Sequence, residues 1–512
     1  MELKHPMRRT VPGTVSTVDR AMPWFCGIAI TLAALIVRLH GLGKKPYWMD
    51  EVTTLRRASL DLGALVRDSL VHHHLPLYFI ISALFVPHGL DAGIMRLPSA
   101  LFGALSCLIL FLVGRSLAGW RCGLAAALLL CFSPFQVQYA QEARSYTLVT
   151  SFILLALWGL IRVARAPRTD RVGWLLYAAG TALALDTLSV SLFWLAGAQI
   201  CAVLIARSDP AQRTAFVRRW LLVQAAILAT YLPFVVAMSS LTHGDMGSGL
   251  DWVPPPTAHT IWTTIQSVYL LRISSLIAFR IFPGPLDLGS VPWFGFGVAL
   301  LAVLGLASLR RSLSGRIVAV AFAILPIGLA LASLRSSLWM PRYLLWSGPI
   351  FFLLAGTGVA RLPRRAGMAA LVVIGLLGLL NLRPYYKAET RPLWNVAAVT
   401  LRDALRPDDL IMTDDPGTIA MMNVTLAKTG RSFGLADWTD DAELAMAAHD
   451  AGRRVWVLHG TVGQNDPYRL ETLLDRVNGL GAPASRRAIG LDIVLLLYLP
   501  ANQDASRELG AG

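Results

Sequence analysis

Asp50 and Glu51 stand side by side in "YWMDEVTTL" (Tyr47–Leu55), directly after an apolar stretch. Charge held close to a membrane surface is costly and usually has a task. A carboxylate there can act as a general base toward a hydroxyl presented from water; the plainer alternative is a solvated acidic loop. A second set is "QYAQEARSYTL" (Gln138–Leu148), where Arg144 follows Gln141 and Glu142. A guanidinium matches phosphate oxygens in bidentate geometry, so Arg144 suits a lipid phosphate, unless it is a helix-end arginine paired to Glu142. In "LWMPRYLLWSGP" Arg342 and Tyr343 open another apolar run in the same way. "HHHLPLYF" (His72–Phe79) offers three histidines. Consecutive side chains diverge on a helix or strand, so the expectation is no metal, with His74 lining a cavity.

The elements that must position these residues are set by composition. Apolar residues make up 55% of the 512, charged residues 15%, and the mean hydropathy is +0.56. Those values exclude a soluble globule. Apolar runs able to cross about 30 Å of hydrocarbon lie near Trp24–Arg38, Ile94–Val113, Cys122–Val137, Tyr146–Val163, Trp174–Leu185, Val190–Ala206, Trp220–Met238, Val291–Ser308, Ile317–Leu334, Tyr343–Ala360 and Gly367–Leu382, eleven in all. The net charge of +15 is a topology signal rather than a nucleic-acid footprint. Arginines cluster before the first run, at Arg115 and Arg121, at Arg162–Arg171, at Arg207–Arg219, at Arg310–Arg316 and at Arg361–Arg365. In an eleven-span chain all of these fall on one side, which the positive-inside rule makes the cytoplasm. Asp50, Arg144 and Arg342 then fall on the other side. The five cysteines lie in or beside the spans, so no disulfide framework is expected.

The reading divides the chain into a cytoplasmic tail (1–22), a membrane domain (23–383) with long outer loops at 41–93 and 239–290, and an outward segment (384–512). In that segment "DLIMTD", "RRVWVLHG" and "LDIVLLLYLP" read as strands. "TLRDALR", "DAELAMAAHDA" and "YRLETLLDRVNGL" read as amphipathic helices, giving a small α/β domain. "TDDPGT" (Thr413–Thr418) is a turn after a strand end. Thr257 onward reads as a short helix at the membrane surface. The fold class is thus a polytopic α-helical membrane protein of about eleven spans with a small outward-facing α/β domain.

Asp-Glu after the first span, His-x-Pro-Leu-Tyr later in that loop, Gln-Glu-Ala-Arg-x-Tyr after the third span and Arg-Tyr at a late span together resemble the GT-C membrane glycosyltransferases. The likeness is greatest to family 39-like members, the polyprenyl (dolichyl) phosphate-mannose protein mannosyltransferases and the lipid A aminoarabinose transferases. It covers about residues 20 to 385. The resemblance implies a GT-C-type fold and inverting transfer of a single sugar from a polyprenyl-phosphate donor to a sugar, lipid or protein acceptor, with no cofactor. It assigns Asp50 as base, Glu51 as its orienting neighbour, Arg144, Tyr146, Arg342 and Tyr343 to the donor phosphate and lipid, and His74, Tyr78, Gln141 and Glu142 to the substrate cavity. Membrane lipids are the remaining partners, in a multi-pass plasma-membrane protein. Where eukaryotic protein mannosyltransferases carry His-Pro-Pro-Leu, this chain has His74-Leu75-Pro76-Leu77. A transporter or flippase of a lipid-linked or anionic substrate is the alternative, since it too would use outer arginines and an acid at the membrane.

Overall fold

The structure, a computed structural model, describes residues 17–242, 253, 255–272, 292–387, 391–413, 418, 421–422, 424, 437–460, 469–490 and 493–500. Its membrane part runs α1 (Thr17–Leu39), α2 (Met49–Ala58), α3 (Leu62–Val71), α4 (Leu77–Ala83), α5 (Ala92–Ala118), α6 (Trp120–Cys131), α7 (Pro134–Ala140), α8 (Tyr146–Arg165), α9 (Arg171–Leu185), α10 (Ser191–Ser208), α11 (Arg213–Leu241), α12 (Ala258–Val268), α13 (Pro292–Leu309), α14 (Leu313–Ala332), α15 (Ser347–Arg361) and α16 (Arg364–Lys387). Each of the eleven apolar runs is mostly helical among the described residues. Among the described residues, six helices are long and apolar enough to cross a membrane, or seven if the α6–α7 pair is one span.

That pair is bent by 65°, where the sequence reading has one continuous helix. Ser133-Pro134 explains the break. Proline disfavours helical backbone in the residue before it and lacks the N–H that would continue the ladder. It sits instead at the first position of α7, with Ser133 as N-cap. The bend matters because the turn after α7 carries Glu142 and Arg144.

Helices pack closely where side chains vanish. A Cβ on Gly159 of α8 would lie 2.3 Å from the Tyr177 backbone nitrogen of α9, and one on Gly180 would lie 2.6 Å from the Phe152 carbonyl oxygen. Small residues of this kind let membrane helices approach to backbone distance.

The segment after α1 is built rather than slack. Asp61 caps α3 by accepting from Ala64 N, and α2 buries Glu51, Val52, Thr54, Leu55, Arg57 and Ala58. Thr257 and Thr260 cap α12 reciprocally, as a helix starting at Thr257 requires.

Beyond α16 come α17 (Trp394–Ala404), β1 (Leu410–Thr413), β2 (Asp437–Thr439), α18 (Ala442–Asp450), β3 (Val455–Gly460), α19 (Arg469–Arg476), β4 (Ser485–Ile489) and β5 (Ile493–Tyr498). The sheet order is β2-β1-β3-β5-β4. β1 pairs in parallel with β2 and β3, while β5 is antiparallel to β3 and β4. The three strands read from sequence are the apolar central ones. The two missed, β2 and β4, are edges, and β4 shows water Arg486 and Arg487, the polar dressing that edges need. Most of "TDDPGT" lies outside the described residues.

Candidate active site

Asp50 and Glu51 occupy the first turn of α2, where the helix dipole favours negative charge. Adjacent positions on a helix point about 100° apart, and the two carboxylates meet different surroundings. The Asp50 side chain keeps 28% of its surface exposed. Its Oδ2 lies 2.8 Å from Arg342 Nη1 and 3.8 Å from Arg144 Nε, while Arg144 Nη1 donates to the Asp50 carbonyl at 3.4 Å. Burial alone would raise the Asp50 carboxyl, but Arg144 and Arg342 outweigh it and hold it below the usual range. Asp50 is therefore a partly exposed carboxylate with two guanidiniums beside it.

Glu51 is fully buried. Arg96 grips it with two bonds, Nε to Oε1 at 2.7 Å and Nη2 to Oε2 at 2.8 Å. Arg391 Nη1 adds a third at 2.7 Å, and Ala143 N donates to Oε1 at 2.8 Å. Burial opposes this charge, and Arg391 and Arg96 overcome it. Such geometry makes Glu51 an internal tie rather than a group that touches substrate. Removing one partner of a buried pair costs about 3–5 kcal/mol.

The remaining residues read from sequence fall into two sets. Tyr343 neighbours Arg342, whose guanidinium carbon lies 5.9 Å from its ring centroid and 5.9 Å from that of Trp48. Tyr146 opens α8 beside Arg144. Arg144 Nε is buried without a hydrogen-bond acceptor, so this cation has spare donor capacity. His74 is half-buried and follows His73, whose φ of 58° is left-handed; such strain in a non-glycine residue clusters at functional sites. Burial first, then Arg144 and Arg57, push the His74 imidazole down to about 3. Its ring centroid lies 6.0 Å from that of Phe79.

Tyr78, Gln141 and Glu142, expected on the cavity wall, are buried and bonded to other protein groups. The Tyr78 hydroxyl pairs with Ser99 Oγ at 3.0 Å, and Ser99 Oγ donates to the Arg144 carbonyl at 2.9 Å. Gln141 Nε2 donates to the Arg38 and His40 carbonyls, and Tyr385 donates to its Oε1. Glu142 is 3.3 Å from Arg391 Nη2 and accepts from Gln138 Nε2 at 3.3 Å. Burial, with help from Glu51 and against Arg391, pushes its carboxyl up to about 7.

Sequence reasoning missed Arg96 and Arg391. Arg96 donates to the carbonyls of Leu42, Lys45 and Pro46 as well as to Glu51, so it organises the whole entry to α2. Both arginines lie opposite the arginine clusters of the eleven-span reading, but so do Arg56, Arg57, Arg67 and Arg335, so sidedness alone does not single them out.

Residues 73–238 match the family model described as dolichyl-phosphate-mannose-protein mannosyltransferase. No curated protein matches the chain. Among solved structures, ArnT from Cupriavidus metallidurans in the apo state is similar with a TM-score of 0.59 at 12% identity, covering 94% of this chain and 99% of that one. The same protein bound to undecaprenyl phosphate gives 0.56 at 13% identity, with 94% and 99% covered. The oligosaccharyltransferase of Archaeoglobus fulgidus in the apo form gives 0.52 at 12% identity, covering 80% of this chain and 64% of that one. Residues 73–238 thus resemble that mannosyltransferase family, and nearly the whole chain shares the fold of the ArnT structures.

Proposed function

We propose that the protein transfers a single sugar from a polyprenyl-phosphate donor to an acceptor hydroxyl, with inversion, at the outer face of the plasma membrane. The observation that carries this reading is the partly exposed Asp50 carboxyl, which stands in reach of both Arg144 and Arg342. The likeness to a protein that binds undecaprenyl phosphate supports the donor class.

The geometry suggests how the parts work together. The donor phosphate competes with Asp50 for the two guanidiniums, which match its oxygens better than a monodentate carboxylate does. Released from Arg342, Asp50 gains basicity, because the charge that held its carboxyl down now faces phosphate. The acceptor oxygen then attacks the anomeric carbon as Asp50 takes its proton. The bond from that carbon to the phosphate oxygen breaks, and its electrons leave with the lipid phosphate. A phosphate leaving group needs positive charge rather than a proton, which Arg144 and Arg342 supply. Tyr146 and Tyr343 flank those arginines, and His74 is assigned to the substrate side. Incubating purified protein with a panel of polyprenyl-phosphate sugars and acceptors tests the reading. Released polyprenyl phosphate with an inverted anomeric product supports it; no release with any donor defeats it.

A further inference from the structure

We propose that Arg391 is a positioning residue, through which the chain leading into the α/β domain holds the loop after α1 and thereby Asp50. The catalytic half of this inference rests on the glycosyl-transfer reading. Arg391 is almost fully buried just past the end of α16. Its Nη1 donates to the Pro46 carbonyl at 3.1 Å and to Glu51 Oε2 at 2.7 Å. Its Nη2 donates to the Gln141 carbonyl at 3.3 Å and lies 3.3 Å from Glu142 Oε1. One planar group thus spans the entry to α2, its first turn and the turn after α7. Those segments carry Asp50 and Arg144.

Arg391 answers the Glu142 carboxyl, but charge balance alone does not require its bonds to the Pro46 and Gln141 carbonyls. Arg96 already meets Glu51 with two bonds. What Arg391 adds is a bridge between two separate pieces of backbone, which a fork of donors can make and a point charge cannot. Packing repeats the link. Trp394 shares a buried cluster with Tyr47, Val52 and Leu55 of the loop and with strand residues Ile411 and Leu458. A Cβ on Gly460, at the end of β3, would lie 2.1 Å from the Trp394 ring, so β3 and that ring are in direct contact. The α/β domain and the loop bearing the base therefore share one core.

Wild-type protein, Arg391→Lys and Arg391→Gln/Glu142→Gln decide the matter through melting, donor binding, turnover and amide exchange over residues 46–58 and 141–146. Arg391→Lys keeps the charge, and the double variant keeps neutrality, but neither can bridge the two carbonyls. Both should fold and bind donor within about threefold of wild type. Exchange in the two segments should rise, and kcat should fall about tenfold or more, as expected when reacting groups drift by about 1 Å. Wild-type exchange and kcat in either variant would overturn the proposal, since the arginine would then be a counter-ion only. Failure of both variants to fold would also overturn it, by making Arg391 a folding residue. If the wild type acts on no polyprenyl-phosphate sugar, the glycosyl-transfer reading alone fails, and the exchange comparison still decides whether Arg391 holds the loop.

Discussion

The two carboxylates of α2 show how one peptide step separates a reactive group from a scaffold. Asp50 keeps water on one side and arginines on the other, whereas Glu51 is closed in by Arg96 and Arg391. A base must be ionised yet reachable, and Asp50 alone of the pair meets both conditions. Arg144 should tolerate no loss of its donors. Arg144→Ala is expected to abolish donor binding or turnover, and Arg144→Lys to restore only part, because a point charge lacks the bidentate fork; full activity in Arg144→Ala would leave it a helix-end arginine. Glu142 gives a pH signature. Its folded carboxyl sits at about 7 against an ordinary 4.5, so between those values the native state holds a proton that the unfolded chain has lost. Stability from this group therefore falls as pH rises through that window. Glu142→Gln should melt above wild type at pH about 8, with the gap closing toward pH about 5; a constant gap would contradict the assignment. Asp50, Arg144 and Arg342 were legible because charge stands out beside apolar runs. Their division of labour was not, since Glu51 owes its burial to Arg391, 340 residues away in the chain.

Apolar periodicity sufficed to find every long helix, and turn chemistry was what it under-read. Ser133-Pro134 was on the page, but a run of apolar residues on either side masked it as one span. The resulting bend lets the turn after α7 close over Glu51 through Ala143 N. The loop after α1 likewise holds three helices that are too short to register as spans. Interhelical contacts were equally hidden, because a glycine in a membrane run reads as tolerated filler. Gly159→Val should lower the melting temperature by forcing α8 from α9, given the 2.3 Å approach to Tyr177 N. It should leave donor specificity unchanged, since those backbones lie away from Asp50. An unshifted melting temperature would mean that the two helices separate without cost.

At the scale of the molecule, segments far apart in sequence converge as alternating spans require. The loop at Asp50, the turn at Arg144, Arg342 and Arg391 meet at one site. Loops rich in arginine meet one another instead, Arg121 donating to the Ala360 and Leu362 carbonyls and Arg219 to that of Arg168. By the positive-inside rule we propose that the arginine clusters face the cytoplasm and the α/β domain faces outward. Alkaline phosphatase fused after Asn502 should then be active, and a stable but inactive fusion would reverse the topology. Composition revealed the two architectures and their order, but not that they share a core, because nothing local in Tyr47 or Trp394 announces a partner across the domain boundary. The most direct measurement of the central claim compares wild type with Asp50→Asn for release of polyprenyl phosphate from a saturating polyprenyl-phosphate sugar. Asparagine keeps the size of the side chain and cannot take the proton, so turnover should fall about 10²-fold or more with donor binding intact. Wild-type turnover in Asp50→Asn would contradict the account.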